Sequence, residues 1–216
     1  MSVVQNTLIG RSRQAIGNAV FTTWKGINVL KSKPISVENP NTINQQMRRS
    51  ALSQTVAFFR AISNVVLVGF KELAVGKSEY NAFSSEMLRV SFDYTAPPVA
   101  TIQANSILIS KGTIATQPIT TSTASGATNA VTINWSSAVL QPGQATTDKA
   151  LVVIFNSTTA TLYGEVTSVS RSANTAVITD PNGITVADVL EVYLGFYNPT
   201  SGKSGDSQYI NVVAGA

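Results

Sequence analysis

The sequence predicts an α+β fold: an extended N-terminal arm or hairpin, one long and one short helix, then an all-β sandwich. Three observations carry this prediction. Apolar residues at Ile43, Met47, Ala51, Leu52, Val56, Phe59, Ile62, Val66, Val68 and Phe70 keep helical spacing. Beyond Pro97-Pro98 the chain becomes short runs of Val, Ile, Thr and aromatics, broken by Gly, Asn, Ser and Pro at roughly eight- to twelve-residue intervals, as in sandwiches. The charge changes at the same place. Before residue 50 there are Arg11, Arg13, Lys25, Lys31, Lys33, Arg48 and Arg49 against Glu38 alone. After residue 97, Lys111, Lys149, Arg171 and Lys203 face Asp148, Glu165, Asp180, Asp188, Glu191 and Asp206. The expected domains are 1–97, the arm and helices, and 98–216, the sandwich.

The elements follow in order. Residues 1 to 38 read as extended chain punctuated by Gly10 and Gly17, with a strand over Asn18 to Thr23. Trp24-Lys25-Gly26 allows a turn or bulge, because glycine accepts backbone angles closed to other residues. Ile27 to Lys33 is a second strand, ended by Pro34. Its faces do not sort: Lys25, Ile27, Val29, Lys31 and Lys33 alternate with Trp24, Gly26, Asn28, Leu30 and Ser32. Either both faces meet protein, some of it from another chain, or this is an irregular arm over its own core. A helix over 41–74 starts with Asn39 as cap and Pro40 at the first helical position, or with Thr42 as cap and Gln45 closing a capping box. A second helix over 78–90 is capped by Ser78 and carries a stripe of Tyr80, Phe83, Met87 and Leu88. Strands are expected near 106–110, 115–122, 130–136, 149–156, 160–169, 174–179, 188–197 and 207–213. Val131, Ile133 and Trp135 share a face, as do Leu151, Val153 and Phe155, and Val192, Leu194 and Phe196; Trp135 is expected to anchor the core.

Composition narrows the chemistry. Charged residues make up 12% of the chain, about half the usual ~25%, so Ser, Thr, Asn and Gln cover much of the surface. That style suits a protein surrounded by neighbours. There is no histidine, which removes the commonest general base and metal ligand, and no cysteine. The carboxylates form no calcium loop or glycosidase-like pair, and no nucleophile elbow or P-loop occurs. The reading is therefore no enzyme, no cofactor and no metal. The N-terminus lacks a signal-peptide pattern, and Val65 to Phe70 is too short to span a bilayer, so no membrane partner is expected. Lys25, Lys31, Lys33, Arg48 and Arg49 are able to neutralise phosphates, but aromatic interleaving is limited to Phe21 and Trp24, which ranks nucleic acid below protein as a partner.

The order Trp24-Lys25-Gly26-Ile27, Lys31-Ser32-Lys33-Pro34, Asn39-Pro40-Asn41-Thr42, Gln45 and Arg49 resembles an uncharacterised domain family common in Bacteroidota genomes and their phages. Ser110-Lys111-Gly112, Trp135, Asp148-Lys149-Ala150, Phe155-Asn156, Arg171, Val192-Tyr193-Leu194-Gly195-Phe196 and Ser207-Gln208-Tyr209-Ile210 extend the resemblance over nearly the whole chain. Asn41 departs from it, since the family tends to show Arg there. The resemblance implies that the sandwich is immunoglobulin-like and that the chain is a virion or prophage structural protein. The expected function is thus a non-enzymatic subunit of a tailed-phage virion (ring, collar, tail or decoration component) made in the host cytoplasm. It would assemble with copies of itself and neighbouring virion proteins through its basic arm, with Trp24, Lys25, Lys31, Lys33, Arg48 and Arg49 at the interface. The alternative is a module that binds carbohydrate or a host surface through exposed aromatics such as Tyr163, Tyr197 and Tyr209.

Overall fold

A computed structural model describes residues 2–3, 14–24, 27–33, 36 and 40–215. The chain divides into two compact units, Met1–Asn41 and Thr42–Ala216. The division does not follow the composition change near residue 97: the helices belong with the sandwich, for a packing reason given below.

In the first unit, β1 (Ser2–Val3), β2 (Gln14–Ile16), β3 (Ala19–Trp24) and β4 (Ile27–Ser32) form a sheet in the order β1-β4-β3-β2. Gly17, at φ +59°, makes the tight turn from β2 into β3, a backbone angle that favours glycine. Trp24 pairs with Ile27 across the β3–β4 hairpin, and Lys25 and Gly26 lie outside the described residues. Val29 is buried, Leu30 is half-buried, and Lys31 and Lys33 are exposed.

The second unit begins with α1 (Ile43–Ala61). Of the two starts open in the sequence, Thr42 is the cap: its hydroxyl accepts the Gln45 N–H, and the Gln45 amide oxygen accepts the Thr42 N–H at 3.1 Å. The expected single helix over 41–74 is broken. Ile62 leaves helical geometry (φ −121°, ψ 28°), and α2 (Ser63–Gly69) continues at 93° to α1. No proline or glycine marks the break. Its cause is tertiary: fully buried Ile62 packs on Gly164, where an added Cβ would lie 2.8 Å from the Ile62 Cγ2, and the Asn64 amide donates to the Gly164 carbonyl at 2.8 Å. α3 (Glu79–Val90) follows, capped by Ser78.

β5 (Phe92–Asp93) and β6 (Thr101–Ile102) pair with each other. The strand expected near 106–110 does not form. Residues 104–106 make a 3₁₀ turn, and 107–110 run without a ladder, pinned by the Ser207 hydroxyl accepting the Ile109 N–H and by the Ser110 hydroxyl donating to the Gly205 carbonyl. Seven strands then build the sandwich: β7 (Ile119–Ser125), β8 (Ala130–Trp135), β9 (Lys149–Asn156), β10 (Thr161–Ser170), β11 (Thr175–Thr179), β12 (Val189–Tyr197) and β13 (Gln208–Gly215). Their order is β10-β9-β12-β13-β7-β8-β11, antiparallel except for a short parallel contact between β13 and β7.

Burial explains the layering. Ala150, Val152 and Ile154 of β9 and Leu190, Val192, Leu194 and Phe196 of β12 face a core shared with Val131, Ile133 and Trp135 of β8 and Ala176 and Ile178 of β11. The alternate residues Leu151, Val153 and Tyr193 face outward and are buried as well, in a second core with Phe58, Ile62, Val65, Val66, Phe70 and Phe83 of the helices. A strand buried on both faces reads as a continuous apolar run rather than an alternation, and Ala150-Leu-Val-Val-Ile-Phe155 is such a run. The unit is therefore three layers thick, helices on sheet on sheet.

β9 and β12 are also clasped at their ends. Asp148 precedes β9 and Asp188 precedes β12, while Asn156 is the last residue of β9 and Asn198 follows β12. The Asn198 amide donates to Asp148 at 2.9 Å, and the Asn156 amide donates to Asp188 at 2.8 Å. Each aspartate also accepts a backbone N–H three residues back, from Ala145 and from Thr185. Each asparagine oxygen accepts two N–H groups of the turn beyond it.

Candidate interface

The six residues expected at an interface fall in both units. Trp24 lies in β3, while Lys31 in β4 and Lys33 just beyond it are exposed. Lys25 lies outside the described residues. Arg48 and Arg49 stand exposed on α1, in the second unit. The Arg48 guanidinium lies 4.0 Å over the ring of Tyr94. Arg49 shares a groove along α1 with Leu52, Ser53, Val56, Ala57 and Arg60. Leu52 is 45% exposed, so apolar and cationic groups alternate on this face. Arg60 belongs with the group on position alone; its helical spacing of eleven residues from Arg49 was the available signal.

Charge on the described surface is segregated by sign. Lys31, Lys33, Arg48, Arg49, Arg60, Lys71, Lys77, Arg89 and Lys203 are exposed. Every described carboxylate is buried or half-buried. Most have internal work. Glu72 accepts from the Thr113 hydroxyl and N–H and the Ser204 N–H. Glu86 pairs with Arg89 and Lys111. Asp206 accepts the Gly112 N–H, and Glu191 accepts from Tyr209 and Asn211. On the sandwich Asp148, Asp180 and Asp188 are buried, and Glu165, Glu191 and Asp206 are half-buried.

At one end of the sandwich, where β10 ends and β9 begins, lies a buried ion pair. Arg171 and Asp148 are both fully buried, Nε to Oδ2 at 3.2 Å. The guanidinium also donates to Gln117 at 2.9 Å and stacks 4.0 Å over Phe196. The Trp135 indole donates to the Arg171 carbonyl at 2.7 Å and meets Phe196 edge to face. Burial pulls the Arg171 pKa down, and Asp148 opposes this. Trp135 is 3% exposed, so its place is the core. Tyr163, Tyr197 and Tyr209 are half-buried against the two cores, and the hydroxyls of Tyr163 and Tyr209 donate to Glu165 and Glu191. They form no exposed aromatic platform.

The internal carboxylates give the protein an acid limit. Burial alone would raise Glu72, but hydrogen bonds from Thr113 and Ser204 outweigh it and hold the group below its ordinary 4.5. The Thr185 N–H, then the Asn156 amide, hold Asp188 below its ordinary 3.8. Both folded values lie below the unfolded ones, so their stabilisation is complete above about pH 5 and is lost as pH falls through the folded values. Urea midpoints should be flat down to about pH 5 and fall below about pH 4. Asp188→Asn should flatten that fall; an unchanged acid slope in the variant would refute the assignment.

Among the described residues no single helix is long and apolar enough to cross a membrane. The fold defines a helix-covered β-sandwich with a small separate sheet unit. Residues 10–211 match the model of a family of unknown function (DUF6266), and the chain belongs to that family. No curated protein matches it in sequence. Among solved structures it is similar to the crystal structure of the chicken CNTN1 FN1–FN3 domains, at 8% identity and a TM-score of 0.34. That likeness covers 57% of this chain and 37% of the other, so the chain spans well under half of that structure.

Proposed function

We propose that the protein is a non-enzymatic structural subunit of a tailed-phage virion, docking through its exposed cations on acidic surfaces of neighbouring proteins. The observation that carries the docking is the contrast in exposure: nine cations are exposed, while every described carboxylate is buried or half-buried. Such a surface steers and selects anionic partners. Lys31 and Lys33 present it on the small sheet, and Arg48, Arg49 and Arg60 on α1. The tailed-phage setting is supported by the resemblance of the Trp24 to Arg49 segment. For the sandwich we infer an immunoglobulin-like arrangement. Its support is the seven-strand order, in which β10-β9-β12-β13 and β7-β8-β11 are joined only by the short parallel contact of β13 with β7. A glycan-binding role is less favoured, because the three tyrosines it would use are packed.

Virions purified from a host carrying the gene should contain the chain in ring- or lattice-like copy number. Charge reversal at Lys31, Lys33, Arg49 and Arg60 should strip it from them while its circular dichroism is unchanged. Absence of the wild-type chain from the particles would overturn the setting, and retention of the reversed chain would overturn the cationic docking. Salt-sensitive binding to duplex DNA at physiological ionic strength would assign the cations to nucleic acid instead.

A further inference from the structure

We propose that the free edge of β11 is a second docking surface and that its occupant is the same strand of a second copy, paired antiparallel about a two-fold axis at Val177. The argument starts from the ladder. The Trp135 N–H donates to the Asn174 carbonyl, and the Asp180 N–H donates to the Asn129 carbonyl, on the two sides of the β8–β11 pairing. Hydrogen-bonded pairs alternate along an antiparallel ladder, so Ala176 and Ile178 turn their backbone groups toward β8. Thr175, Val177 and Thr179 turn theirs toward the open side. β11 is the last strand of the sheet order. It carries no charge, proline or bulge, the devices by which edge strands are usually protected. Val177 is 61% exposed.

A second copy fits this edge for two reasons. The first is charge. No charged residue occurs from 112 to 147 or from 172 to 179, so β7, β8 and β11 carry none. Two copies of a chain with net charge +4 repel least when they meet through strands that carry no charge. An acidic partner, by contrast, would find no cation on this edge. The second is register. Thr-Ala-Val-Ile-Thr reads nearly alike in both directions. A two-fold axis at Val177 sets Thr175 opposite Thr179 of the second copy, and Ala176 opposite Ile178 on the buried side, small against large. The axis falls on a residue whose N–H and C=O face outward, so the pairs at 175, 177 and 179 are all hydrogen-bonded without a slip. The proposal rests on reading the chain as an assembly subunit, but it uses a surface separate from the cationic one.

The chain has no cysteine of its own, which makes single cysteines clean probes. In this dimer the Val177→Cys positions lie about 5.5 Å apart between Cα atoms, within disulfide reach. The Thr179→Cys positions lie about 14 Å apart and are out of reach. Mild oxidation of the full-length chain should give covalent dimer with Val177→Cys and none with Thr179→Cys. Val177→Pro removes only an outward N–H, and it should halve the mass seen by light scattering in high salt while leaving the melting temperature unchanged. Val177→Lys should do the same and serves as the check if the proline variant is unstable. Equal cross-linking at both positions, cross-linking at neither, or a wild-type monomer at every concentration in high salt would each overturn the edge dimer. If wild-type association disappears in salt and ignores both Val177 variants, the cationic contact stands and the strand contact does not.

Discussion

Residues 42–216 produced alone should fold cooperatively, whereas residues 98–216, the sandwich as its composition delimits it, should not. The reason is the outer face of the β10-β9-β12-β13 sheet. Leu151, Val153 and Tyr193 are fully buried there beneath Phe58, Ile62, Val65, Val66, Phe70 and Phe83. Full burial of one such side chain contributes about 1.5–3 kcal/mol, so these three account for roughly 5–9 kcal/mol. A domain's whole stability is only about 5–15 kcal/mol. Polar ties would be cut as well: the Lys111 N–H and the Ser204 hydroxyl both donate to the Gly69 carbonyl, and Asn64 holds Gly164. The shorter fragment should bind a hydrophobic dye and melt without a sharp transition. A cooperative melt within a few degrees of that of 42–216 would show that the helices are dispensable.

Arg171→Ala should be the most damaging single substitution in the sandwich. It leaves Asp148, fully buried, without its cation, and an uncompensated buried charge costs about 3–5 kcal/mol. For a chain of this size that is a fall in melting temperature of roughly 6–20 °C. The loss also removes the stack on Phe196 and the bond to Gln117. Arg171→Met combined with Asp148→Asn removes both charges, and it should recover more than half of the loss. A double variant no better than Arg171→Ala would show that packing on Phe196, not the charge, is what position 171 supplies.

The sequence revealed the strands from 130 onward closely, because alternation and turn residues bound each of them. Thr42 and Ser78 signalled both helix starts through local chemistry. What stayed hidden was tertiary. Ile62 breaks the helix because Gly164, a hundred residues away, leaves room for it. Ile107 to Ser110 looks like a strand by residue type, yet its anchors are the side chain and backbone of Ser207 and Gly205. The boundary near 97 marks a change in residue chemistry, whereas the units follow which surfaces bury one another. One local signal did point to the helical cover: Ala150 to Phe155 is apolar on both faces, which a sandwich open to water on one side does not need. For the interface, the lysines and arginines were legible as a set. The internal hydrogen bonding of the carboxylates was not, since it depends on partners such as Thr113, Ser204 and Gly112 that are distant in sequence.

The crosswise aspartate–asparagine contacts make β9 and β12 mutual rulers. A residue inserted into either strand would carry its carboxylate or carboxamide out of reach and turn every following side chain over, so a tolerated change of length in one must be matched in the other.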